Sequence, residues 1–305
     1  MPSYKTRQDW RIKPEPARQK EAFWEVVAFF LITFAITWGV AALSIFSPDF
    51  VLGDDGFRGA RGRSFFFLAV YGPTLAGLML TLTREGFVTG LKGIWRGAVA
   101  PGRVTPWLLW LFIGLAIVPA AWGLTVALSK IGLANETIGL FVPSALLSVP
   151  LVLATTPYIF TDPGPIGEEY GWRGYLLPRL LELTDPIRAS IIIGIAWGVW
   201  HLPAFFNAAM GQADNVFVFM LANWIGWSLL ATWIFIRMNG NWLIPGVISH
   251  AAVNASLNVG GAAVDPIYSL GAMLAAIVLI LWRGPSLDLN RNMSSSDAPR
   301  QHGGT

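Results

Sequence analysis

Apolar stretches of bilayer-spanning length recur along the whole chain. Runs at about 22–46, 65–83, 105–129, 142–160, 189–206, 216–236, 241–258 and 265–283 are long enough to cross the hydrocarbon core as helices. Between residues 160 and 189 lies a more polar segment, opened by the helix-breaking run "DPGPIG". The pattern predicts an all-α polytopic membrane protein of about eight transmembrane helices, with a broken or interfacial helix between the fourth and fifth. No internal repeat stands out. Four segments follow: a basic stretch at 1–21, N-terminal transmembrane helices at 22–139, a membrane core at 140–283, and a polar tail at 284–305 whose Ser, Asp, Asn, Arg and Gly predict disorder.

Composition sharpens this reading. The chain is 54% hydrophobic and only 13% charged, about half the charge of a soluble domain. Its 15 Trp suit two interfacial belts. With no cysteine, disulfides and thiolate metal sites are excluded. Lys5, Arg7, Arg11, Lys13, Arg18 and Lys20 precede the first apolar run, which makes them a cytoplasmic anchor rather than a nucleic-acid site. The 84–104 loop adds Arg84, Lys92, Arg96 and Arg103, whereas 130–141 holds only Lys130. Eight passes with both termini inside satisfy the positive-inside rule. The expected location is a multi-pass protein of the cell membrane with a cytoplasmic N-terminus.

Polar residues within the spans then become the candidates for chemistry. Most acidic residues are expected in loops or tails, with Glu168 and Glu169 as the exceptions, joined by Arg173. Of three histidines, His201 and His250 lie inside spans. An ionisable side chain in the membrane interior costs several kcal/mol and marks function by default. Thr184 lies 16 residues from Glu168, and Arg188 lies 13 from His201; Asn241 lies 9 from His250 and 13 from Asn254. These are helical rises of about 24, 20, 14 and 20 Å. The heights overlap, so residues from three passes can meet in one chamber.

Spacing adds detail. Glu169 and Arg173 are i,i+4 and can pair, while Glu168 points about 100° away without a partner on its own helix. An unpaired, desolvated carboxylate suits a general base. Trp197 and His201 are i,i+4, as are His250 and Asn254. Glutamate with histidine can activate water, and His with Asn can donate to an oxyanion. Taken singly, each group has a structural reading: Glu169–Arg173 an ion pair, His250 a hydrogen bond between helices, Trp197 packing. The coincidence of the set points to hydrolysis.

These residues carry a resemblance. "EEYGWR" resembles the E-E-x-x-x-R motif of the CAAX prenyl protease type, the CPBP or Abi family of intramembrane endopeptidases. "WGVWH" resembles its second motif, an aromatic residue ahead of His, with Trp197 where Phe is common. "HAAVN" resembles its third, H-x-x-x-N. The resemblance covers roughly 140–283. It implies a helical membrane core and a glutamate-based site. Glu168 would be the general base, His201 its helper on the water, and His250 with Asn254 the oxyanion pair. Glu169, Arg173 and Trp197 would support them. It also implies a membrane-associated peptide or protein substrate, of which prenylated CAAX proteins are the family's best-known case, met in the lipid bilayer, with no cofactor and no nucleic acid. Three alternatives stand beside it. Glu168, His201 and His250 could hold a catalytic zinc, although H-E-x-x-H is missing and Asn254 is a poor ligand. Broken helices with carboxylates at mid-membrane also occur in transporters. A non-enzymatic immunity protein would not need Glu168 at all.

Overall fold

The computed structural model describes residues 14–100, 162–206, 216–251, 254 and 278. Every regular element among them is helical. Helix α1 (Pro16–Phe46) begins ahead of its apolar run, with proline in its first turn, where a missing N–H costs nothing. A short α2 (Pro48–Val51) and a 3-10 turn (Gly56–Arg58) follow. Next come α3 (Ala60–Val70) and α4 (Gly72–Glu85). The sequence predicts one span at 65–83. The structure bends it by 58° at Tyr71, because Pro73 in the first turn of α4 cannot continue the hydrogen-bond ladder of α3. Residues 84–104, expected as a loop, contain α5 (Phe87–Ala98).

The motif segment forms one helical run. Helix α6 (Pro163–Glu169) passes into a π-helical turn (Tyr170–Leu176) and then α7 (Leu177–Leu183). The break predicted there lies ahead of the run, at Asp162. Helices α8 (Pro186–Phe205) and α9 (Phe217–Arg237) match their predicted spans. The predicted 241–258 span opens with a second π-helical stretch, Leu243–Ile248. Helices α1, α8 and α9 are each long and apolar enough to cross a bilayer, and the bent α3–α4 pair makes a fourth candidate. The chain is an all-α polytopic membrane protein. The predicted spans at 105–129 and 142–160, all of 265–283 except residue 278, and the polar tail lie outside the described residues, as do residues 1–13 of the basic stretch.

Lipid is as apolar as leucine, so packing and close approach must hold these helices together. Phe29 of α1 stacks on Tyr175 with ring centroids 5.5 Å apart, and its ring meets Trp172 edge-on. Leu176, Leu177, Ile193, Leu230 and Ile234 are buried around them. Gly194 and Gly198, one turn apart on α8, let α9 approach closely: a β-carbon at Gly194 would fall against the Ile225 backbone, and one at Gly198 against Leu221 and Trp224. Gly194→Val is therefore expected to force α8 and α9 apart and cost about 1–3 kcal/mol, read as a lower melting temperature in detergent.

One end of the bundle is fastened by charge. Glu25 receives Arg18 at 3.1 Å, Arg179 at 2.7 Å and also Arg84. Arg18 reaches Glu182 at 2.9 Å, and Arg84 reaches Glu21 at 2.8 Å. Three helices, α1, α4 and α7, are joined there. This corrects the expectation that acidic residues other than Glu168 and Glu169 sit in loops or tails. Glu25 and Glu182 lie within helices, and Glu182 is buried. Apart from Arg18, which shares α1 with Glu25, their partners come from distant segments, so local spacing could not show them.

Candidate active site

The site begins at Asp162. Its carboxylate Oδ1 accepts from the Gly164 N–H at 2.9 Å and caps α6, with Pro163 at the first helical position. This start directs Glu168 and Glu169 inward; both are buried, 4% and 1% exposed. The π-helical turn that follows widens the run and turns Arg173 back onto Glu169, NH1 to Oε1 at 2.8 Å. π-helical turns of this kind are frequent at functional sites.

The second π-helical stretch approaches from the other side. A β-carbon at Gly246 would lie 2.9 Å from Glu169 Cβ and Oε2, so only glycine lets this backbone pass over the carboxylate. Just beyond, His250 Nδ1 meets Glu169 Oε1 at 2.9 Å. A carboxylate oxygen can only accept, so Nδ1 carries the proton. Glu169 thus holds an arginine and a histidine on one oxygen. The Arg173 guanidinium also reaches Ser228 of α9 at 3.3 Å and lies 4.5 Å from the centre of the Trp197 ring.

Glu168 is held differently. Its Oε2 accepts from the Trp197 indole N–H at 2.5 Å. The sequence left this carboxylate without a partner on its own helix; the partner comes from α8, a separate helix. The carbonyl of the same Trp197 accepts from His201 Nδ1 at 2.9 Å. That bond places the proton on Nδ1 and leaves Nε2 of the neutral ring as an acceptor. His201 is fixed further by stacking on Trp224, centroids 4.5 Å apart and planes 13° from parallel, and by the edge of Trp200 at 4.6 Å.

Glu168, Glu169, Arg173, Trp197, His201, His250 and Asn254 all line one cavity of about 330 Å³. The depth argument from helical rise is consistent with this convergence. His250 and Asn254, expected to project to one side, both line this cavity, each held by a different acidic residue. His250 turns to Glu169, while the Asn254 amide donates to Asp162 Oδ2 at 2.7 Å. Asp162 therefore caps the helix that carries the glutamates and also holds Asn254. Sequence reasoning treated its "DPGPIG" run as a break alone, although Asp before Pro is a helix-start signal. Trp224 carried no signal among 15 tryptophans. As for metal, among the described residues no three His, Cys, Asp or Glu side chains are grouped to hold an ion.

Residues 150–256 match the family model described as type II CAAX prenyl endopeptidase Rce1-like. The resemblance to the CAAX protease family is borne out over that stretch. A 96-residue alignment is 30% identical to the protein named CAAX prenyl protease 2 of Methanococcus maripaludis, covering 28% of this chain and 34% of the relative. The match thus spans about a third of that protein. All three motifs lie within 150–256, and so do Asp162 and Trp224.

Proposed function

We propose that this protein is an intramembrane endopeptidase that hydrolyses a peptide bond with a water activated by Glu168 and His201. One observation carries the reading: Trp197 holds Glu168 through its indole and His201 through its carbonyl, at the wall of a single cavity. Glu169 is committed to Arg173 and His250, which leaves Glu168 as the carboxylate suited to take a proton.

In this mechanism a water lies between the Glu168 carboxylate and His201 Nε2. Glu168 takes one of its protons while its oxygen attacks the scissile carbonyl. The oxyanion is met by Nε2–H of His250 in its imidazolium form, a cation that Glu169 stabilises from the Nδ1 side. The Asn254 amide, oriented by Asp162, is the second polar partner. The C–N bond then breaks, and Glu168 returns its proton to the leaving amine. Trp197 and Arg173 keep the two glutamates in their separate roles. No metal takes part.

The relative's name points to prenylated CAAX proteins as the substrate class, and the lining suits a lipidated peptide: Phe66, Val70, Met220, Trp224 and Trp227 surround the polar groups. The basic residues at the start of the chain support a cytoplasmic N-terminus for a multi-pass protein of the cell membrane. The test is purified protein in detergent with a quenched farnesylated CAAX peptide, with and without a zinc chelator. Cleavage that survives the chelator is expected. Loss of cleavage with the chelator would move the site to zinc chemistry, and cleavage of the same peptide without its farnesyl group at an equal rate would remove prenyl recognition.

A further inference from the structure

Helix α5 takes no part in the cavity, yet its faces are sharply divided. Phe87, Leu91 and Trp95 follow one another at i, i+4 and i+8 and form a stripe, with Val88 and Val99 beside it. All are exposed, Phe87 and Trp95 at 68% each. Lys92 and Arg96, themselves i,i+4 and exposed, run along the edge of that stripe, and exposed Thr89 lies beyond them. Gly90, Gly97 and Ala98 are buried on the side that packs against the bundle. No acidic residue interrupts the helix.

Its place is well fixed. Gly86, at φ +78°, turns the chain out of α4 in a conformation that glycine adopts freely. The Asn241 amide donates to the carbonyls of Ala98 and Ala100, and the Trp242 indole donates to that of Ile94. Arg84, three residues ahead of α5, belongs to the ionic cluster that joins α1, α4 and α7. The helix therefore lies at the charged end of the bundle. At 12 residues it measures about 18 Å, too short to cross a core of about 30 Å.

We propose that α5 lies in the interface of a leaflet rich in anionic lipid. Phe87, Leu91 and Trp95 enter the acyl boundary, and Lys92 and Arg96 pair with lipid headgroups. Charge complementarity selects this occupant: the apolar stripe has a purely cationic edge, the pattern of helices that rest on anionic membranes. The inference rests on α5 alone and stands or falls apart from the proposed proteolysis.

The absence of cysteine permits unique labels. Leu91→Cys, Trp95→Cys and Thr89→Cys would each carry a nitroxide in the full-length protein. The proteins would be reconstituted into phosphatidylcholine vesicles with or without phosphatidylglycerol. Labels at 91 and 95 are expected about 5–10 Å below the headgroups, open to oxygen and shielded from an aqueous nickel chelate, with the reverse at 89. Phosphatidylglycerol should draw 91 and 95 deeper, and Lys92→Gln with Arg96→Gln should abolish that shift. Labels at 91 and 95 as open to nickel as the one at 89 would overturn the proposal. So would lipid-buried labels indifferent to phosphatidylglycerol, or labels closed to both oxygen and nickel, which would mean that a protein covers the face.

Discussion

Glu168→Gln is expected to lower peptide cleavage by about 10²- to 10⁴-fold, the range for loss of a general base, while leaving the protein folded. The amide keeps the size of the side chain and retains a carbonyl oxygen that can still accept from the Trp197 indole, the bond that holds Glu168 now. No ion pair is broken, since the contact is an indole N–H rather than a cation. What disappears is the capacity to take a proton from water. The measurement is kcat/KM on the farnesylated peptide beside the melting temperature in the same detergent. A variant that cleaves at the wild-type rate would sink the assignment of Glu168. One that loses activity and stability together would show that the carboxylate is structural.

How much of this was legible in the sequence depends on the range of the signal. The spans of α1, α8 and α9 were read from hydropathy because a bilayer imposes one length on every crossing segment. The Glu169–Arg173 and Trp197–His201 contacts were read from i,i+4 spacing, which a helix enforces whatever surrounds it. Contacts between helices were not legible. Nothing local says that Trp197 serves Glu168, that Trp224 stacks on His201, or that Asp162 holds Asn254. The approach of α9, which carries Trp224, depends on Gly194 and Gly198, and the approach of the second π-helical stretch to Glu169 depends on Gly246, glycines whose meaning appears only when the opposing element is in place. Both π-helical stretches depart from the 3.6-residue period, and no hydropathy pattern announces them, although the Glu169–Arg173 pair survives at the entrance to the first. Helix α5 was missed because glycine fills its packed face and basic residues break its apolar residues into short runs along the sequence, so a sliding hydropathy window reads a loop.

The neighbouring glutamate should behave in the opposite way. Glu169→Gln is expected to cost about 3–5 kcal/mol of stability, because it strands a buried cation. Arg173 is 2% exposed and, among the described residues, would retain Ser228 and the face of Trp197. Activity should fall as well, even at temperatures where the fold persists, since His250 would lose the carboxylate that anchors Nδ1 and stabilises its charged form. Two consequences can be separated by adding Arg173→Met. With the cation gone, the double variant should recover much of the stability, as buried ion pairs replaced by apolar groups commonly do. It should not recover cleavage, because a neutral amide at 169 cannot stabilise the imidazolium of His250. Melting in detergent and single-turnover cleavage give the two readouts. A Glu169→Gln protein as stable as wild type would mean that the buried pair locks nothing. A double variant that regained cleavage would mean that Glu169 acts through Arg173 alone and that its bond to His250 is incidental. The expected contrast, one glutamate dispensable for folding and its neighbour important to it, follows from which side chains meet each carboxylate: an indole from α8 in one case, and in the other a guanidinium from the same helical run with an imidazole from beyond the second π-helical stretch.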